Sequence, residues 1–172
     1  MRRNVSLINP QSPAIITLSE AIEGRFPSIG LLTTNNEHPG TRHTAGLAID
    51  IMLEVRQANE HRRADQLIDV FVRLHRQMRW SDLIYSDYDG TTTTYFHIPG
   101  GGGFGRPGHM LERNPYTQDT RHSNHIHLDW VNLAQEFRNQ GDEYRRIPYL
   151  WSPAATNTAF GPALVAELAA LS

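Results

Sequence analysis

The sequence contains no cysteine. That one absence removes disulfides, thiolate nucleophiles and cysteine-based zinc sites together. Any metal site must be built from histidine, aspartate or glutamate. No run approaches the roughly 20 apolar residues of a membrane-spanning helix, so no membrane association is expected. There is no excess of positive charge either: the formal net charge is -2. A broad basic field able to hold nucleic acid by its phosphates is therefore excluded. The opening MRRNVSLINPQSP has two arginines but lacks the apolar stretch of a secretory leader. The expectation is export by a leaderless route, or a domain cut from a longer chain.

What is present is an ordinary globular composition, 39% hydrophobic and 20% charged over 172 residues, with nine histidines. The length fits one domain with a sizeable core. Ser12-Pro13 reads as a helix start, with Ile15, Leu18, Ala21 and Ile22 on one face and Gly24 as the stop. Segment 29–34 is short and β-like. A strand is expected over 46–53, with Leu47, Ile49, Ile51 and Leu53 on one face and Ala48, Asp50 and Met52 on the other. Residues 59–79 carry apolar side chains at helical spacing. LIYSDY and TTTTYFHI flank Asp89-Gly90, a hairpin signal.

Farther on, the glycine-rich stretch 99–108 and the segment Leu111 to Thr120 read as irregular. Segment 124–131 alternates, with Ile126, Leu128 and Trp130 on one face and His125, His127 and Asp129 on the other. Short helices are expected from Leu133 to Asn139 and in GPALVAELAALS, whose Leu164, Leu168 and Leu171 should pack on the domain. The sum is one α+β domain over 1–172 with a mainly antiparallel sheet and flanking helices, its core about 12–140 and a C-terminal extension at 148–172.

Two segments carry chemistry. In HTAGLAID, His43 precedes a strand and Asp50 lies in it. A strand advances roughly 3.3 Å per residue, so the chain must bend between them if both are to reach one ion. Gly46 makes such a bend easy. Alone, the pattern equally describes a surface histidine and a hydrogen-bonded aspartate. In RHSNHIHLDW, His125 and His127 share a strand face beside His122. Neutral imidazole is a favoured zinc ligand; the other reading is a polar outer face of an edge strand. His61 and His75 look solvent-facing. The Gly100–Gly103 run lacks the ending of a phosphate loop and reads as a surface loop or a lid, flanked by His97 and His109.

HTAGLAID resembles the H-x-x-G-x-A-x-D signature of zinc D-alanyl-D-alanine carboxypeptidases and dipeptidases. RHSNHIHLDW is similar to the end of the penicillin-insensitive murein endopeptidases. The two motifs stand in family order between about 28 and 131. The resemblance implies a Zn2+ ion held by His43, Asp50 and His127 on the sheet face, with His125 catalytic and His122 a further active-site histidine. It implies a zinc-dependent peptidoglycan peptidase, using a metal-activated water to cut peptide crosslinks or stems. The carboxypeptidase branch keeps a glutamate as general base where this chain has Asn124, so proton transfer falls to His125 or His122. Arg42 and Arg121 adjoin the motifs and could hold a substrate carboxylate by two-point contact; solvated surface arginines are the other reading.

The expected partners are peptidoglycan peptides, met in the periplasm or cell wall. An immunity protein would join them if the chain is an antibacterial toxin. The rival functions are a zinc amidase cutting the sugar–peptide bond and a catalytically silent cell-wall-binding module.

Overall fold

A computed structural model of the chain describes residues 11–32, 43, 46–54, 56–86, 92–97, 112–117, 124–130 and 154–172, with the backbone alone for 86, 92–97 and 112–117. The fold is α+β. Helix α1 spans Pro13–Arg25, and strands β1 and β2 span Gly30–Leu32 and Ala48–Met52. Helices α2 (Ala58–Arg73) and α3 (His75–Met78) follow, then strands β3 (Asp82–Ser86), β4 (Thr92–His97), β5 (Glu112–Thr117) and β6 (His125–Asp129). Helix α4, Gly161–Ala169, closes the described chain. Among the described residues no helix is long and apolar enough to cross a membrane.

The strands form one sheet in the order β1-β2-β6-β3-β4-β5, and every pairing is antiparallel. The last strand to form in sequence, β6, lies between β2 and β3. Its two neighbours are therefore far away along the chain. The ladder with β2 continues beyond the strands: Leu53 N–H donates to the Asn124 carbonyl at 3.0 Å and Trp130 N–H to that of Leu47 at 2.8 Å.

Alternation decides the faces as expected. Leu47, Ile49, Ile51, Leu53, Ile126, Leu128 and Trp130 are all buried, in one apolar cluster with α1, α2 and α4 side chains. Leu164 and Leu168 of α4 belong to that cluster, and Leu171 packs against it. Two buried indoles anchor their polar edges. Trp80 Nε1–H donates to the Phe71 carbonyl and Trp130 Nε1–H to that of Met78, each at 3.0 Å, so neither N–H is buried unmade.

Three local expectations need correction. Residues 112–117 form a strand, not an irregular segment: they pair with β4 from Glu112↔His97 to Thr117↔Thr92. The sequence ERNPYT lacks alternation and carries Pro115, which hides a strand from any pattern reading. An outermost strand tolerates a proline, since every second N–H on it faces away from the ladder. The long helix is also not continuous to 79; it breaks at Leu74. Finally, His61 and His75 are half-buried rather than solvent-facing. Tyr85 Oη lies 3.0 Å from His61 Nδ1, and His75 Nδ1–H donates to the Val72 carbonyl at 2.7 Å. The Asp89-Gly90 turn, the glycine-rich stretch and the helix expected at Leu133 lie outside the described residues.

Candidate metal centre

Pairing of β2 with β6 sets Asp50 directly opposite His127, with Ala48 opposite Asp129 and Met52 opposite His125. Directly opposed residues on one sheet face bring their Cβ atoms to about 5 Å. Both side chains emerge on the face away from Ile49, Ile51, Ile126 and Leu128. His43 reaches them by the bend expected at Gly46. That residue has φ 68° and donates its N–H to the His43 carbonyl at 3.0 Å. Its own carbonyl accepts the Ser12 N–H at 3.0 Å, tying the turn to the start of α1. Seven residues of straight strand would span roughly 23 Å; the turn instead brings His43 Nε2 to 3.2 Å from Asp50 Oδ1.

An alanine at Gly46 would have to adopt the left-handed conformation, which costs a non-glycine residue roughly 1–2 kcal/mol. Gly46→Ala should lower stability by about that amount and weaken metal binding through His43. Urea denaturation and titration with divalent metal ions check the two effects, and an unaltered metal affinity would deny the turn its role.

Three donor atoms converge. His43 Nε2 lies 3.2 Å from both Asp50 Oδ1 and His127 Nδ1, and His127 Nδ1 lies 2.9 Å from Asp50 Oδ1. Zinc bonds to imidazole and carboxylate are about 2.0–2.1 Å long, so tetrahedral ligand atoms stand about 3.3 Å apart. The triangle thus has the dimensions of one face of such a tetrahedron. His43, Asp50 and His127 can hold a metal ion. Three protein ligands would leave one coordination position for water or substrate.

Electrostatics at the centre call for a cation. Two imidazole nitrogens and a carboxylate oxygen cannot crowd together with all lone pairs facing inward. In the metal-free chain protons supply the positive charge. Burial works against a charged His127, but hydrogen bonds to Asp129 and Asp50, and then their charges, outweigh it and carry its pKa from 6.5 up to about 9. Burial likewise opposes ionisation of Asp50, yet hydrogen bonds from His127 and His43, and the nearby histidine charges, hold its carboxyl well below the usual range. His127 is therefore an imidazolium at neutral pH, donating from both nitrogens, and a metal must displace one of those protons.

The signs for metal-free protein follow by linkage. A raised histidine pKa contributes stability that is complete below 6.5 and is lost as pH rises through about 9. A depressed carboxylate pKa contributes stability present above 3.8 and lost as pH falls through the lowered value. Metal-free protein should therefore lose stability between pH 6.5 and 9, and His127→Gln should flatten that decline. Denaturation midpoints across this range test it; an equal decline in both proteins would refute it.

Two further side chains complete the surroundings. His125 Nδ1 lies 2.8 Å from Asn124 Oδ1, so its N–H donates to the amide oxygen and Nε2 is the nitrogen turned toward the centre. That Nε2 stands 3.6 Å from Asp50 Oδ1, beside the triangle. On the other side, His127 Nε2 lies 3.2 Å from Asp129 Oδ2. Asp129 is only 1% exposed. Alternation sets Asp129 on the histidine face, and the H-x-H-x-D pattern is the signal for it in the sequence. Arg42, Arg121 and His122 lie outside the described residues, as do His38 and His109. His97 falls on β4 as the register partner of Asp82.

The chain matches no protein-family model, no curated protein and no solved structure.

Proposed function

We propose that this chain is a zinc-dependent peptidase of peptidoglycan, an endopeptidase acting on peptide crosslinks or stems, with His43, Asp50 and His127 as the metal ligands. The observation that carries the reading is the donor triangle, with sides of 3.2, 3.2 and 2.9 Å and a histidine of fixed orientation beside it. The peptidoglycan substrate rests on the resemblance of HTAGLAID and RHSNHIHLDW to the cell-wall peptidases, in their order and spacing.

When bound, zinc would supply an electrophile for the scissile carbonyl and lower the pKa of water at its open position toward about 7. The chain's own residues do the rest. Asn124 accepts from Nδ1–H and so orients His125. In the neutral ring Nε2 then carries the lone pair, and His125 can accept a proton from the attacking water and return it to the leaving amine. This assigns Asn124 an orienting role at the position where carboxypeptidase relatives carry a general base. His122 is a second candidate for proton transfer. Arg42 and Arg121 are candidates for binding the carboxylate of a stem peptide. Action in the periplasm or cell wall follows from this substrate.

Mass spectrometry of muropeptides after incubating sacculi with zinc-loaded protein tests the reading. Crosslinked dimers should become monomers while the sugar–peptide bond stays intact. A chelator should stop the reaction and added zinc should restore it. Free stem peptides released from glycan would indicate an amidase instead. Binding to sacculi with no new product would indicate a silent binding module.

A further inference from the structure

We infer that Asp129 is a positioning residue of the metal centre, accepting the His127 Nε2–H bond and so fixing Nδ1 as the nitrogen that His127 offers to an ion. The inference rests on the metal-centre reading above and extends it to a residue to which neither motif assigns a role. Its basis is geometric. His127 Nδ1 belongs to the donor triangle, and Nε2 lies 3.2 Å from Asp129 Oδ2 on the ring's other side. A neutral imidazole has one N–H and one lone pair, so a partner for one nitrogen decides what the other can do. Without metal, Asp50 accepts from Nδ1 at 2.9 Å and Asp129 faces Nε2 at 3.2 Å. Once an ion replaces the Nδ1 proton, the carboxylate of Asp129 keeps the remaining proton on Nε2 and leaves the Nδ1 lone pair for the ion. The opposite tautomer would aim an N–H into the triangle and leave His127 unable to ligate.

The setting of Asp129 supports a role beyond strand structure. It sits at a central position of the sheet, opposite Ala48 on β2 and opposite Asp82 on β3. Asp82 is itself only 2% exposed. Burying a carboxylate is unfavourable without compensation, and setting two directly across a sheet is unfavourable again. A neutral residue would serve the strand better. The contact with His127 is one interaction that offsets this arrangement, and β6 supplies both partners two residues apart on one face. Side chains behind a metal-bound histidine typically contribute 10–100-fold in metal affinity.

The test compares wild type, Asp129→Asn and Asp129→Ala by zinc titration against a competing chromogenic chelator. Long-range proton–nitrogen spectra of His127 in the zinc-loaded proteins accompany it. Asp129→Ala should lose 10–100-fold in zinc affinity. Asp129→Asn, whose amide oxygen still accepts the bond, should recover most of that loss. Wild type should show His127 protonated at Nε2 with Nδ1 on the metal. Undiminished zinc affinity in Asp129→Ala, with wild type binding zinc, would overturn the role of Asp129 alone. So would a zinc-loaded wild type whose His127 is metallated through Nε2, a reading that needs no variant to fold. A wild type that takes up no zinc would overturn the metal centre, and this role with it.

Discussion

Purified protein should carry about one zinc per chain, and His43→Ala, Asp50→Ala and His127→Ala should each strip most of it. Each substitution removes one corner of a triangle whose sides already match tetrahedral coordination. No cysteine stands by as a substitute donor. The loss in affinity should therefore exceed the 10–100-fold expected for an outer partner such as Asp129. The three variants should not behave alike without metal. His43→Ala removes a buried ring whose Nδ1 has no hydrogen-bond partner among the described residues. Asp50→Ala removes the carboxylate bonded to the His127 imidazolium, so its metal-free form should be the less stable of the two. Metal analysis after dialysis, with denaturation of the metal-free proteins, measures both effects. Full zinc occupancy in all three variants would defeat the centre as drawn.

His125→Ala should keep its zinc and lose about 10²–10⁴-fold in turnover, the usual contribution of a general acid–base group. The division of labour rests on geometry. His125 Nε2 is 3.6 Å from Asp50 Oδ1, close enough to serve the centre but farther from Asp50 than either proposed histidine ligand. Its Nδ1–H is committed to Asn124. Asn124→Ala should therefore reduce turnover in the same direction but less, since it frees the ring to choose the wrong tautomer without removing it. The rate of muropeptide dimer loss, read beside zinc content, separates proton transfer from metal binding. Dimer loss at the wild-type rate in His125→Ala would leave a metallopeptidase without the histidine mechanism. A zinc-free His125→Ala beside a zinc-loaded His127→Ala would reverse the ligand assignment on β6.

Much of this centre is legible before any fold is known, because alternation is a local property. A strand that buries Ile126 and Leu128 must turn His125 and His127 to its other face. The same rule turns Asp50 away from Ile49 and Ile51. The bend at Gly46 follows from simple reach. Where sequence reading fails, the missing information is non-local. ERNPYT becomes a strand because β4 offers it a ladder, and nothing in its own pattern announces that. Leu74 interrupts a helix whose apolar spacing runs on without a break. The His61–Tyr85 contact forms only because β3 brings Tyr85 to α2.

The sequence by itself determined the absence of cysteine chemistry, the faces of β2 and β6, the ligand types and the turn that returns His43. It could not determine which strand Asp50 would meet. That was decided when β6 entered the sheet between β2 and β3, closing a register of Asp50↔His127 between residues that local pattern leaves unconnected. Asp129 follows His127 to the same face because both belong to β6, and a shift of β6 by one residue would have sent both side chains to the apolar face, away from Asp50. The physical reason is that side-chain direction is set by each residue's own backbone, whereas pairing and register depend on the free energy of burying both faces together.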